Sequence, residues 1–302
     1  MRIWKYSRLD AVPLVVTAAQ MSLNIWLATT WNDRTVPQLL LLWPATLFLF
    51  WYNPIVATHN FLHTPWFAHP LANNVYAAIN SINLGLPQIL YRFHHLNHHR
   101  FENDRPGKDG RTRDHSSTYA YGKDGNHENV IAYCTLGLFR RGTTEAYREA
   151  RRKGYWKQLC FELVICLLGL AAYLLLSWQY FVFFFLPTFF FGWFLAQMEN
   201  YYEHFGASPE NRSANSVSYY GRIYNLLFCN EGYHQEHHIR PQMHWTRRPD
   251  TRQEFVRTDR VISGYPPLLG FLDRHLPRRP PCLDDNSPTA HCPLPTKVPS
   301  EQ

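Results

Sequence analysis

A chain of 302 residues with only 18% charged, 46% hydrophobic and 16% aromatic residues is neither disordered nor collagen-like, since soluble domains average about 25% charge. The mean hydropathy of −0.33 averages very apolar blocks with a basic remainder, so their segregation carries the information. A formal charge of +7 suits an anionic membrane surface or an acidic protein partner. The six cysteines contain no CxxC pair and do not form a disulfide framework.

In chain order, the first apolar stretch is 11–30, interrupted by Thr17, Gln20, Ser22 and Asn24, and the second is 37–58, uncharged and rich in Leu and Phe. Both reach the roughly 20 residues that a membrane helix needs. His59 and His63 follow at i, i+4 and share one helix face. Residues 71–90 are apolar but broken by Asn, Gly85 and Pro87, which reads as an interfacial or re-entrant segment rather than a fifth span. Next comes Tyr91-Arg-Phe-His-His-Leu-Asn-His-His99, containing His95, His98 and His99 as HxxHH; an alternative phasing would use His94. Residues 102–129 are polar, with GKDG twice, which is loop chemistry.

Residues 130–139 predict an amphipathic surface helix, and Thr143 or Thr144 a cap for a basic helix reaching Lys153. The third and fourth apolar stretches, 159–177 and 180–198, are close enough to form a tight hairpin. Just beyond, Asn200 and His204 stand at i, i+4, and a second HxxHH supplies His234, His237 and His238. From residue 277 the chain holds seven prolines and reads as a disordered tail; residues 1–276 are then one membrane domain.

Four spans place 29 of the 30 lysines and arginines on one side, only Arg34 falling on the other. The positive-inside rule makes that side the cytoplasm, with both termini and every histidine cluster there. The expected fold is all-α: four transmembrane helices in two hairpins under a helical cytoplasmic cap.

Nine clustered histidines with no cysteine among them make an all-imidazole site, which suits iron, zinc, copper or nickel. One ion cannot take nine ligands. Two ions with four or five each, leaving positions for dioxygen or water, fit the count, and redox-inert zinc, which normally closes with four ligands, would leave several idle. Two irons are therefore expected. Glu203 and Glu236, flanked by ligands, are candidates to orient imidazoles from outside the metal shell, while Asn200 either holds a metal-bound water or caps the fourth helix.

On these residues the sequence resembles the membrane fatty acid desaturase superfamily, which also holds alkane hydroxylases, carotenoid ketolases and acyl-chain hydroxylases. The resemblance rests on His59-Asn-Phe-Leu-His63, His95-Leu-Asn-His98-His99 and His234-Gln-Glu-His237-His238, in the family's order. Asn200-Tyr-Tyr-Glu-His204-Phe-Gly206 looks like the extra motif of the alkane hydroxylases. The resemblance implies a di-iron centre held by His59, His63, His95, His98, His99, His204, His234, His237 and His238, with O2 as cosubstrate. It further implies oxidation of an unactivated C–H bond in a lipid chain. Desaturation is the commonest outcome; hydroxylation, ketone formation or decarboxylation to a terminal alkene need the same site.

The chain lacks a ferredoxin-type cysteine run and a Gly-rich dinucleotide fingerprint. A separate electron donor is expected, ferredoxin, rubredoxin or cytochrome-like, with its reductase, docking on the basic face; no nucleic acid is expected as a partner. Two rivals fit less well. A metal transporter should carry its ligands at the bilayer midplane, and a membrane haem protein should carry facing histidines within the spans.

Overall fold

The computed structural model describes residues 2–140, 142–254 and 260–276. The expected disordered tail, 277–302, lies outside the described residues, as does His291. Among the described residues the fold is all-α, apart from a two-residue parallel pairing of β1 (Val217–Ser218) with β2 (Val261–Ile262) and an isolated antiparallel bridge between Trp4 and Phe67.

Among the described residues, four helices are long and apolar enough to cross a membrane: α1 (Arg8–Thr29), α2 (Val36–His63), α7 (Trp156–Leu176) and α8 (Trp178–Tyr202). Between α2 and α7 lie α3 (Pro70–Leu84), α4 (Gln88–Phe101), α5 (Val130–Arg140) and α6 (Thr143–Arg152). After α8 come α9 (Arg222–Leu227), α10 (His234–Ile239) and α11 (Arg248–Glu254). Helices α2 and α8 run past the expected ends of their apolar stretches, so His59, His63 and Asn200 stand on the helices themselves.

The 71–90 segment is two helices, as its breakers predict. Gly85 ends α3 in the left-handed conformation at φ +67°, and Pro87 precedes α4. A Cβ on Gly85 would lie 2.5 Å from the Phe189 ring, so glycine also serves the close approach of α8. The basic helix α6 is preceded by Gly142 at φ 47°, and neither Thr143 nor Thr144 caps it; both lie inside the helix.

Of the polar residues that interrupt α1, Thr17, Gln20 and Asn24 are buried and Ser22 is exposed. Gln20 Oε1 accepts from Asn53 Nδ2 at 2.8 Å, and Asn24 Oδ1 accepts from Tyr180 OH at 2.7 Å. Asn53 Nδ2 also donates to Asn80 Oδ1 at 2.9 Å, and Asn80 Nδ2 donates to Gln88 Oε1 at 2.8 Å. A buried amide network thus ties α1, α2, α3 and α4 together where apolar side chains would discriminate poorly between registers. Glu162, the single acid within α7, accepts from the backbone N–H of Ile89 at 2.7 Å and from Gln158 Nε2 at 2.8 Å. The N–H of Ile89 is one of the donors that the first turn of α4 leaves without a helical partner. The buried carboxyl therefore docks the helix that carries the second histidine box.

In α2, a π-helical turn spans Asn53–Thr58 immediately before His59. Pro54 within it has no N–H to donate, which favours a widened turn. Asn53 Oδ1 accepts from Thr58 Oγ1 at 2.8 Å across that turn, fixing the direction in which His59 and His63 leave the bundle.

Candidate metal centre

All nine predicted histidines come together, and they sort into two groups. His59, His63, His95, His99 and His237 form one; His98, His204, His234 and His238 form the other. Within each group the candidate ligand atoms lie within 4.8 Å of one another. The groups are adjacent, with the rings of His99 and His238 centred 4.6 Å apart. His95 belongs to the first group, whereas His94 lines a neighbouring cavity. Of the other histidines, His69 caps α3, His244 pairs with Asp10 at 2.9 Å, and His127 meets Thr118 Oγ1 at 2.7 Å.

The local structure explains the split. On α4 the residues at i, i+3 and i+4 point to one side, but His98 leans toward α8 and α10 while His95 and His99 face α2. Similarly on α10, His237 joins His59 and His99, and His234 and His238 join His204.

Nitrogen geometry tests whether a metal fits. In the first group the Nε2 atoms form a chain of close pairs: His63–His95 at 2.7 Å, His59–His237 at 2.8 Å, and His95–His99 and His99–His237 at 2.9 Å. In the second, His204–His234 and His234–His238 are both 3.2 Å apart. Imidazoles bound at about 2.0–2.1 Å would have adjacent nitrogens roughly 2.9 Å apart at right angles and about 3.3 Å apart in a tetrahedron. The observed spacings match a shared ion.

Protons alone do not account for the arrangement. His59 Nδ1 lies between the Ile55 carbonyl at 3.2 Å and the Glu231 carboxylate at 2.9 Å, His98 Nδ1 faces Asp114 Oδ2 at 2.8 Å, and His204 Nδ1 faces the Asn215 carbonyl at 3.1 Å. Each of those nitrogens donates its proton outward, which leaves a lone pair on the inward Nε2. The buried His98 Nε2 has no hydrogen-bond partner. A cluster of inward lone pairs, one of them orphaned in a buried site, fits a cation.

Burial lowers the pKa values of His95, His99, His234, His237 and His238 well below the ordinary imidazole range, with neighbouring imidazoles adding in the same direction except that Arg248 comes first at His237. For His204, burial and then His98 bring it to about 3. The rings are therefore neutral, the form that binds metal.

Two acids that hold ligand rings gave no clear sequence signal. Asp114 lies in the polar 102–129 loop, where its Oδ1 accepts from the Ser116 N–H and its Oδ2 from that of Asn103, each at 2.8 Å. Burial would raise its pKa, but His98 and the Ser116 hydrogen bonds hold it well below the usual carboxylate range. Glu231 sits three residues before His234, a proximity that was the available hint. Its carboxylate pairs with Arg248 at 3.0 Å and accepts from Asn60 Nδ2 at 2.7 Å. Burial opposes ionisation of Glu231, and Arg248 and His59 more than offset it.

The three predicted outer residues divide. Glu203 reaches His234, its Oε1 lying 3.4 Å from Nδ1. Burial raises its pKa, with Glu199 and Glu231 adding. Glu236 does not orient a ring: it accepts from Tyr220 OH at 2.8 Å and Ser218 Oγ at 3.2 Å and pairs with Arg260, and among the described residues it makes no hydrogen bond to an imidazole. Its position on this short helix points Glu236 away from the metal face, and its carboxylate anchors α10 to Ser218, Tyr220 and Arg260. Asn200 donates from Nδ2 to Tyr133 OH at 2.7 Å and lines the cavity beside His95 and His98.

Residues 35–261 match the family model described as Fatty acid desaturase. The chain belongs to the fatty acid desaturase family.

A DES1-like sphingolipid delta(4)-desaturase of Arabidopsis thaliana is 28% identical over 198 residues, covering 64% of this chain and 56% of that protein. Its counterpart in Oryza sativa subsp. japonica is 26% identical over 252 residues, covering 81% of this chain and 72% of the relative. The chain thus spans little more than half of the first relative. No solved structure matches it.

Proposed function

We propose that this desaturase-family chain binds two irons, one among His59, His63, His95, His99 and His237 and the other among His98, His204, His234 and His238. It uses O2 and externally supplied electrons to oxidise a saturated C–H bond in a lipid chain, with removal of two hydrogens as the main outcome. A non-haem iron pair supplies the means to reduce O2 and abstract hydrogen. The protein's part is to hold nine imidazoles, orient three of them through Glu231, Asp114 and the Asn215 carbonyl, and seat the chain. The observation that carries this reading is a cavity of about 310 Å³ whose wall includes His95 from one group and His98 from the other.

Hydroxylation is the second reading. The motif that runs from Asn200 to Gly206 favours it, since the Asn200 amide stands on the same wall. A metal transporter fits poorly, because the imidazoles on the spanning helices stand at the helix end rather than at mid-span.

The four spans and the asymmetry of basic residues support a membrane location with both termini and the metals on the cytoplasmic side. Exposed Arg148, Arg151, Arg152, Lys153 and Lys157 on α6 and its junction with α7 would receive an acidic electron donor, ferredoxin, rubredoxin or cytochrome-like. Mass spectrometry of lipids from cells making the protein, against His98→Ala, tests the reaction. A product lacking two hydrogens in the wild type alone supports desaturation, and one gaining an oxygen supports hydroxylation. Identical lipids in both would refute the assignment.

A further inference from the structure

A second cavity, of about 330 Å³, opens on the other face of α4. Gln88, Ile89 and Arg92 line it, whereas Leu90, Tyr91, His95 and His98 line the cavity beside the histidine groups. Its other walls come from the end of α2, the start of α3 and the start of α7, and Lys5 joins them from the segment before α1. The start of α1, the end of α2 and the start of α7 lie on one side of the bundle, because the spans alternate in direction. Ends of spanning helices reach the head-group layer of a bilayer.

The floor of this cavity is closed and its polar groups are satisfied. Glu162 is fully buried there, its two oxygens accepting from the Ile89 N–H at 2.7 Å and from Gln158 Nε2 at 2.8 Å. One turn deeper, Cys166 Sγ donates to the Ser81 carbonyl at 3.3 Å, and a Cβ on Gly169 would lie 2.5 Å from Ile82. Helices α3 and α7 therefore pack too closely below the floor to admit an acyl tail.

The rim is cationic. Lys5 is exposed and Arg92 half-buried, and among the described residues neither side chain makes an ion pair or a hydrogen bond. Arg92 lies 5.4 Å from the centre of the Tyr155 ring and Lys5 Nζ 5.1 Å from that of Tyr6. Asn74 adds an exposed amide to the same rim. Beside Asn74, α3 carries Leu71, Val75 and Ile79 at i, i+4 and i+8, which are 61%, 43% and 45% exposed. Basic pockets between spans suit lipid head groups, and a guanidinium binds phosphate through charge-assisted hydrogen bonds.

We infer that this cavity binds the phosphate of an anionic phospholipid through Lys5 and Arg92, with Asn74 on the hydroxyls of its head and its tails along Leu71, Val75 and Ile79. The lipid is a structural partner rather than a substrate, since α4 stands between it and the histidine groups. One phosphate shared by Lys5 and Arg92 ties the start of the chain to the helix that carries the second histidine box. A choline head would bring a third positive charge to two unpaired cations and is disfavoured.

The test uses the full-length protein in neutral detergent, with native mass spectrometry to count bound lipid. Phosphatidylglycerol should bind about tenfold more tightly than phosphatidylcholine with the same acyl chains. Lys5→Gln and Arg92→Gln should each weaken phosphatidylglycerol about fivefold, and Arg92→Lys should keep most of the affinity. Removing two exposed cations elsewhere, with Arg148→Gln and Arg151→Gln, should leave it unchanged. Added phosphatidylglycerol should raise the thermal midpoint of the wild type more than that of Lys5→Gln, which alters only an exposed side chain. Equal affinity for the two lipids, or an equal loss in the Arg148→Gln/Arg151→Gln variant, would overturn the site. Displacement of the lipid by millimolar inorganic phosphate would assign the cations to a free anion and overturn the lipid reading. None of these outcomes depends on bound metal or on turnover, so the proposed function stands or falls separately.

Discussion

Asp114 Oδ2 stands 2.8 Å from His98 Nδ1, so a loop acid in the polar connection between α4 and α5 sets the direction of a ring in the second imidazole group. The same carboxylate accepts backbone N–H groups of Asn103 and Ser116, which makes ring orientation depend on how that loop is folded. Acids of this kind typically tune metal affinity or activity 10- to 100-fold, roughly. Asp114→Ala is expected to lose iron from the second group first. Metal content after dialysis against a weak chelator measures it, and wild-type retention would show that Asp114 has no part in holding the ring.

A second pair acts on the first group. Glu231 and Arg248 are both almost wholly buried, and each needs the other: Arg248 also donates to Asn60 Oδ1 at 2.8 Å. Removing one partner of a buried pair leaves an uncompensated charge and costs about 3–5 kcal/mol. Arg248→Met is expected to lower thermal stability strongly, and adding Glu231→Gln should return part of it. Additive losses in the double variant would contradict the coupling.

The four spans, the break at Gly85 and the nine histidines were legible because each has a local signature: apolar length, a breaker, an i, i+4 repeat. Asp114 and Glu231 were not, because a carboxylate becomes a ring-holder only when a loop brings it within hydrogen-bond reach, and no spacing rule encodes that. Glu236 misled for the opposite reason: adjacency to His237 along the chain places it on the other face of α10, toward Ser218 and Tyr220. Gln20 and Asn24, which weaken α1 as a span, turned out to be contacts that fix its register. The sorting of imidazoles into five and four depends on how α2, α4, α8 and α10 pack, a tertiary fact outside the reach of motif spacing.

Acid should destabilise the iron-free protein. The folded state holds His204 and His127 neutral, each lowered to about 3, by burial and then by His98 and Arg105 respectively. The unfolded chain binds protons near pH 6.5. Because the unfolded state takes up more protons between those values, stability is complete above about pH 6.5 and falls as pH drops toward 3. Thermal midpoints of the iron-free protein across that range measure the effect; a midpoint that rose on acidification would reverse the sign.

Gly85 connects packing to selectivity. With φ +67° and the Phe189 ring 2.5 Å from where a Cβ would sit, Gly85→Ala must push Phe189, which lines the cavity beside His95 and His98. The variant should favour shorter chains than the wild type and lose about 1 kcal/mol of stability through backbone strain. Chain-length profiles of the products check this, and an unchanged profile would separate Phe189 from tail selection.

The most direct measurement is metal stoichiometry with Mössbauer spectra on the full-length protein and two single-ligand variants, His63→Ala and His238→Ala. The wild type should hold two non-haem irons per chain, and each variant should lose a different one of two spectral components. One metal per chain, bound zinc in place of iron, or loss of the same component in both variants would contradict two adjacent imidazole-held irons.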